Sequence, residues 1–325
     1  MNAGTIRKVL LTQQIHRAGM SLLEERFQVV TAPDPSHGTL MGLCRDVQAI
    51  VLRSASRIDR EILEHAEALS IVSRTGAGVD NVDLEAATLR GILVCSLPGV
   101  NSLSVAEHAV ALILALAKQT RLMDRAVREG RWEMRNAELP GEVEGKVLGL
   151  VGFGRIGSRV ARICHRGLGM AVLVYDPLAT EVPPEYTRVD SLAKLCREAD
   201  FVSIHCPRLP ETVRMIGAQL LGAMKRTACL INTARGEVVD EEALVEALRS
   251  RLIAGAALDV FGTEPPRQDH PLLAMENVIL SPHAAALTRE VTARAAREAA
   301  QAILDFADGR EPRHVHNAEG LRARR

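Results

Sequence analysis

The stretch from Lys146 to Pro177, KVLGLVGFGRIGSRVARICHRGLGMAVLVYDP, constrains this chain more than any other. It opens on an apolar run, Val147 to Val151, which is too short for a helix and is ended by glycine. Such a run reads as a buried parallel strand. Gly152-Phe153-Gly154-Arg155-Ile156-Gly157 follows, then a helical pattern that places Ile156, Val160, Ile163 and Cys164 on one face. A second apolar strand, Ala171 to Tyr175, ends on Asp176. Strand, glycine-rich turn, helix, strand and acid thus fall in the order and spacing of a dinucleotide-binding βαβ unit.

Each part has a physical reason. Gly152 permits the tight turn, Gly154 lets backbone approach a pyrophosphate, and Gly157 lets the helix pack closely. The helix N-terminus offers unpaired N–H groups and the positive end of a dipole. Asp176 can accept hydrogen bonds from both ribose hydroxyls and would repel a 2′-phosphate. NAD is therefore expected in preference to NADP. Arg208, just after Cys206-Pro207, could meet a 2′-phosphate, so some use of NADP is left open.

At 325 residues the chain is long enough for two domains, and its 47% hydrophobic content supports sizeable cores. Lys plus Arg balance Asp plus Glu at 40 each, which gives no sign of a nucleic-acid partner. No apolar run is long enough to span a membrane, and no signal-peptide segment opens the chain, so a cytoplasmic protein is expected. The six cysteines are scattered without a CxxC pair, which fits a reducing compartment and neither disulfides nor a cysteine metal site.

The first hundred residues alternate strand and helix. Strands are expected at Lys8–Thr12, Gln28–Thr31, Ala49–Leu52, Ser70–Ser73 and Ile92–Cys95, with helices such as Ala18–Arg26 and Arg60–Ala68 between them. Loops at strand carboxyl ends are where ligands bind in such sheets. Thr75-Gly76-Ala77-Gly78-Val79 is one such loop, and its glycines suggest a nest of N–H groups for an anion. Arg53 and Arg74 stand at the ends of neighbouring strands. A long, nearly all-apolar helix is expected at Ser102–Lys118, a charged one at Arg121–Gly130, and irregular chain at Arg131–Glu144, which holds the single Trp, Trp132. Later strands are expected at Phe201–His205, Cys229–Asn232, Ala254–Leu258 and Val278–Leu280, and helices at Glu241–Ser250 and Thr288–Ala307. That last helix has to leave the cofactor domain, and the polar tail after it either returns to the first domain or is loose.

Three residues follow strands of the cofactor domain: Arg235, Glu264 and His283. All three should emerge on the edge that carries the Gly152 turn. An Arg, an acid and a His beside a nicotinamide make a complete hydride-transfer site. The Arg can hold a carboxylate and polarise a carbonyl. The His can move a proton to or from the carbonyl oxygen, and the Glu can orient the His. No HExxH motif or acidic cluster suggests a metal site.

The residues resemble the NAD-dependent D-2-hydroxyacid dehydrogenase family along nearly the whole chain. The likeness rests on Thr75–Asp83 (TGAGVDNVD), Asn101–His108 (NSLSVAEH), Gly152–Gly157, Ile231–Leu244 (INTARGEVVDEEAL), Ala257–Pro266 (ALDVFGTEPP) and Ser281-Pro282-His283. The resemblance implies that Arg235, Glu264 and His283 are the catalytic set and that backbone at Ala77, Gly78 and Val79 binds a substrate carboxylate. It places Arg155, Ile156, Asp176, Cys206, Thr212, Thr233 and Asp259 at the cofactor, with Asp259 near the carboxamide. It implies a homodimer with the Ser102 helix and the Trp132 region in its interface.

Arg53 and Arg74 make the chain most similar to the phosphoglycerate dehydrogenase and hydroxypyruvate reductase branch, and suit a substrate with a second anionic group. The chain ends soon after its last long helix, so the regulatory module of many phosphoglycerate dehydrogenases is expected to be missing. Three departures from the family stand out: Ala284-Ala285-Ala286 after His283, a long segment at 139–145, and Arg208.

The expectation is two doubly wound α/β domains. One is a flavodoxin-like substrate domain of residues 1–100 and 289–325. The other is a Rossmann cofactor domain of residues 101–288, with the active site in an interdomain cleft. The expected reaction is hydride transfer between NAD and a small D-2-hydroxy or 2-oxo acid. Two rivals stand beside it. One is a formate- or phosphite-oxidising relative, against which Glu264 speaks, since formate dehydrogenases of this fold usually carry Gln there. The other is an NAD-sensing, corepressor-like binding protein without turnover.

Overall fold

The computed structural model describes residues 6–137 and 139–323. The chain divides into two compact units, residues 1–101 with 287–325 and residues 102–286.

The first unit begins with four βα repeats and a fifth strand. Its strands are β1 (Lys8–Leu11), β2 (Gln28–Thr31), β3 (Ala49–Leu52), β4 (Ile71–Arg74) and β5 (Leu93–Cys95). Between them run α1 (Arg17–Glu24), α2 (His37–Leu43), α3 (Arg60–His65) and α4 (Leu84–Leu89). All the pairings are parallel and the order is β2-β1-β3-β4-β5, the flavodoxin-like arrangement. The helices start where a side chain can satisfy an orphan amide. Ser36, Asp59 and Asp83 accept from the backbone of Thr39, Ile62 and Ala86. Alternate residues along each strand face opposite layers. Val9, Leu11, Ala49, Val51 and Ile71 pack in one core, and Leu10, Ile50, Leu52 and Val72 in the other.

The second unit opens with α5 (Ser102–Ala117), α6 (Thr120–Arg128) and α7 (Met134–Ala137). The short α7 lies within the stretch that the sequence left irregular. Its sheet holds β6 (Val147–Val151), β7 (Ala171–Tyr175), β8 (Thr187–Arg188), β9 (Phe201–Ile204), β10 (Cys229–Asn232), β11 (Gly255–Leu258) and β12 (Val278–Leu280). The helices α8 (Gly157–Leu168), α9 (Leu192–Glu198), α10 (Ala218–Ala223) and α11 (Glu241–Arg249) connect them. The order β12-β11-β10-β9-β6-β7-β8 is that of a Rossmann sheet with one further strand. Leu148, Leu150, Val172 and Val174 pack beneath α5 and α8, while Val151, Leu173, Val202 and Ile204 pack on the other face. Both faces of the sheet are covered, which is why its strands read as unbroken apolar runs.

The chain then returns to the first unit. In α12 (Arg289–Ala307) the face formed by Ala295, Ala296, Ala299, Ala300 and Ile303 is buried in the core that also holds Leu23 of α1. The tail ends in α13 (Ala318–Arg322) and is not loose. Asn317 accepts from Val94 N–H and donates to the Ile92 carbonyl, and Cys95 and Val315 form an antiparallel bridge. Among the described residues no helix is long and apolar enough to cross a membrane.

Candidate active site

Because every strand of the second sheet is parallel, the loops after β6, β9, β10, β11 and β12 share one edge. The strand order reverses between β6 and β9, and there lies the glycine turn. Gly152 has a φ of +99°, which a side chain rarely tolerates. A Cβ on it would also stand 2.8 Å from the Cys206 nitrogen at the end of β9. Gly157 abuts the Gly152 carbonyl, so the helix closes on the turn itself rather than on the strand. Gly154 has open space around its Cβ position. The N–H groups of Gly154, Arg155 and Ile156 find no acceptor among the described residues. The helix begins at Gly157, with Ile156 as its N-cap residue rather than inside its first turn.

These features fit a dinucleotide. Free amides and open space meet at a helix N-terminus. On the same edge Thr233 Oγ1 and His205 Nδ1 are buried without a partner, groups that a bound polar molecule would satisfy. Asp176 is already partly engaged. One oxygen accepts from Phe153 N–H at 2.7 Å, and the other from Leu178 and Ala179 N–H at 2.8 and 3.2 Å. It therefore pins the glycine turn from the carboxyl end of β7. Burial, then the nearby Asp176 charge, pushes the Cys206 thiol up to about 11, so Cys206 is a neutral neighbour. Thr212 turns its hydroxyl into its own loop, accepting from Leu209 N–H at 2.7 Å and donating to the Pro207 carbonyl at 2.8 Å. Arg208 is paired with Glu237 at 3.2 Å.

The same edge brings Arg235, Glu264 and His283 into one electrostatic group. Asn232, buried at the end of β10, staples the Arg235 loop. Its Nδ2 donates to the Arg235 carbonyl at 2.9 Å and its Oδ1 accepts from Ala234 N–H at 3.0 Å. Glu264 Oε2 lies 2.7 Å from His283 Nδ1, and Oε1 accepts from Phe261 N–H at 3.1 Å. Burial alone would raise the Glu264 pKa. The His283 hydrogen bond, the Phe261 amide and the charges of His283 and Arg235 outweigh it and hold the carboxyl below its ordinary range. An ionised carboxylate only accepts, so Nδ1 of His283 carries the proton of this pair and Nε2 is the nitrogen left to work.

His283 has a φ of +51°, uncommon for a residue other than glycine. Asp259 holds it there. The Asp259 carbonyl accepts from His283 N–H at 2.7 Å. Its carboxylate accepts from the Ser281 hydroxyl at 2.5 Å and from the amides of Ala284 and Ala285 at 2.8 and 2.9 Å. His108 of α5 reaches Ser281 Oγ at 3.0 Å. Asp259, expected beside the carboxamide, is 1% exposed with both oxygens engaged, and here anchors the His283 loop. Sequence reasoning placed neither Asn232 nor Ser281 in these roles. The usable signal was a polar residue ending or just following an apolar strand.

In the first unit, Arg53 and Arg74 end adjacent strands and share Asn81. Its Nδ2 donates to the Arg53 carbonyl at 3.1 Å, and its Oδ1 accepts from Arg74 Nε at 3.2 Å. Arg53 Nη1 donates to the Gln14 carbonyl at 2.9 Å. The loop after β4 is not a nest of alternating handedness, since neither Gly76 nor Gly78 takes a positive φ. Gly76 is needed for space instead: the Arg74 guanidinium lies where its Cβ would be. The N–H groups of Ala77, Gly78 and Val79 nonetheless find no acceptor among the described residues.

Residues 110–285 match the family model described as D-isomer specific 2-hydroxyacid dehydrogenase, NAD binding domain. The chain is also 42% identical to a glyoxylate reductase of Korarchaeum cryptofilum over 98% of both chains. The chain belongs to the D-isomer specific 2-hydroxyacid dehydrogenase family. As a member of it, this D-2-hydroxyacid dehydrogenase is an oxidoreductase, and the matched NAD-binding segment contains the glycine turn, Asp176, Arg235, Glu264 and His283. It is 40% identical to a D-3-phosphoglycerate dehydrogenase of Synechocystis over 98% of its own length, and spans 57% of that relative. An NADPH-dependent glyoxylate/hydroxypyruvate reductase of Sinorhizobium meliloti has a similar structure, with a TM-score of 0.86 at 28% identity, covering 97% of this chain and 98% of the other.

Proposed function

We propose that this dehydrogenase interconverts a small 2-oxo acid and its D-2-hydroxy acid, with His283 as the proton carrier. The observation that carries the reading is the 2.7 Å contact between His283 Nδ1 and Glu264 Oε2, on the edge that also holds Arg235 and the glycine turn. Bound NAD supplies the hydride acceptor for oxidation, or NADH the donor for reduction, at the substrate C2. In reduction His283 Nε2 delivers a proton to the carbonyl oxygen; in oxidation it removes one from the hydroxyl. Glu264 fixes the ring through Nδ1. Arg235 polarises the carbonyl and favours the charge that develops on its oxygen.

In the first unit, the open amides of Ala77, Gly78 and Val79 bind the substrate carboxylate. Arg53 and Arg74 favour a substrate with a second anionic group, of the phosphate, sulfonate or carboxylate kind. Asp176 favours NADH over NADPH. The relatives named as glyoxylate, hydroxypyruvate and phosphoglycerate enzymes support a substrate in that chemical range.

The test is a panel of glyoxylate, hydroxypyruvate, phosphohydroxypyruvate, sulfopyruvate, oxaloacetate and pyruvate, with NADH and then NADPH. The reading expects turnover that is highest for a member carrying a second polar or anionic group. Bound NADH with no turnover on any member would point instead to a sensing protein.

A further inference from the structure

The amides of Ala77 and Gly78 are open because their neighbours' carbonyls are held from behind. A peptide unit is planar and trans, so its N–H points opposite to its C=O. The Gly76 carbonyl accepts from Leu97 N–H at 2.9 Å, which turns the N–H of Ala77 the other way. The Ala77 carbonyl accepts from the Ser96 hydroxyl at 3.1 Å, which turns the N–H of Gly78 the other way. Two successive amides thus face away from β5 because residues 96 and 97 hold two successive carbonyls toward it.

Ser96 is in turn held by the chain's C-terminal tail. Its Oγ is 2.7 Å from His316 Nε2. The tail is fixed at that height by His316 N–H on the Val94 carbonyl at 2.8 Å and Ser96 N–H on the His314 carbonyl at 3.3 Å. Asn317 adds its bonds to Val94 and Ile92. Ser96 has one hydroxyl proton and two partners. It reaches the Ala77 carbonyl only when His316 Nε2 is the donor of their pair. Burial, and after it the charge of His314, hold His316 below its ordinary pKa, so the ring is neutral near pH 7 and its tautomer decides.

We propose that His316, acting through Ser96, is a positioning residue for the carboxylate-binding amides: it spends its own Nε2 proton on Ser96 so that the Ser96 hydroxyl can hold the Ala77–Gly78 peptide with its N–H toward the substrate. The proposal rests on the reading that these amides bind the substrate carboxylate. A peptide free to flip would present the Ala77 carbonyl oxygen in place of the Gly78 N–H, and an oxygen repels a carboxylate. All the residues of this arrangement belong to the first unit and none takes part in the proposed proton transfer, so its loss should fall on KM and leave kcat.

The experiment compares Ser96→Ala and His316→Ala with wild type, using NADH and the 2-oxo acid of the panel that wild type reduces fastest, with oxamate as a non-reacting carboxylate. KM and the oxamate inhibition constant should each rise about tenfold, the effect of losing one well-made hydrogen bond. kcat and NADH affinity should stay within twofold. His316→Gln, which keeps an N–H donor, and Ser96→Thr, which keeps the hydroxyl, should recover most of the loss. Gly78→Pro, which removes the N–H itself, separates the two layers of the argument. If Gly78→Pro leaves KM unchanged, the carboxylate-binding reading fails. If Gly78→Pro raises KM while Ser96→Ala and His316→Ala do not, only the positioning role fails. Equal losses in kcat and KM without recovery by Gln or Thr would mean that the tail merely supports the fold, and would also overturn the proposal.

Discussion

His283 Nδ1 and Glu264 Oε2 lie 2.7 Å apart, and the carboxylate is held below its ordinary pKa by that bond against its own burial. The pairing commits Nδ1 to the acid, and in the proposed mechanism Nε2 serves the substrate. Asp259 adds the second constraint, gripping the chain on both sides of His283.

Removing the imidazole tests that assignment. His283→Ala should lower kcat by about a hundredfold to ten-thousandfold, the range expected for one general acid–base group. NADH affinity, measured by fluorescence titration, should change little. Unimpaired turnover would remove His283 from the mechanism.

Glu264→Gln keeps the size and the hydrogen-bonding capacity but removes the carboxylate charge paired with His283 Nδ1. kcat for 2-oxo acid reduction should fall about tenfold to a hundredfold, because the ring loses the charge-assisted hydrogen bond that fixes it. A kcat equal to that of wild type would contradict the role given to Glu264.

Asp176→Ala should weaken NADH binding and narrow the preference over NADPH. The residue also accepts from Phe153, Leu178 and Ala179, so part of the loss comes from a loosened turn that serves both cofactors. The informative quantity is therefore the ratio of the two dissociation constants. An unchanged ratio would leave Asp176 only as the pin of the turn.

His205 predicts a pH dependence of stability. Burial lowers its pKa from 6.5 to about 4, so the folded ring stays neutral where an unfolded one takes a proton. The unfolded state binds more protons between those values, and stability should fall as pH drops from 6.5 toward 4. The slope from this one group approaches about 1.4 kcal/mol per pH unit. Urea unfolding of wild type against His205→Gln at pH 7, 6 and 5 isolates this contribution. Parallel curves would show that His205 protonates as readily folded as unfolded.

Much of this was legible in the chain itself. Strand, Gly152 turn, helix and Asp176 sit in one local unit, and local units leave local signals. The strands Ala49–Leu52, Val147–Val151 and Cys229–Asn232 were readable to the residue, because sheets covered on both faces need apolar runs. The two-residue β8 and the short α9 and α10 lack such a signal, since their positions come from packing. What joins distant segments was also hidden. The family resemblance places Asp259 at the cofactor but does not show its bonds to residues 281–285, which make it an anchor of the His283 loop. The glycines of residues 76–78 read as a nest, whereas Gly76 makes room for a side chain two residues earlier. His316 lies in a tail whose polar composition gives no hint of its partner Ser96, 220 residues away.

The central claim is hydride transfer to the C2 of a 2-oxo acid. It is tested most directly with NADH deuterated on both hydrogens at nicotinamide C4, followed by mass and chiral analysis of the product. The predicted result is one deuterium transferred to C2 of a D-2-hydroxy acid, formed about a hundredfold to ten-thousandfold more slowly when His283→Ala replaces wild type. NADH that binds but is not consumed, or a product without deuterium at C2, would contradict it.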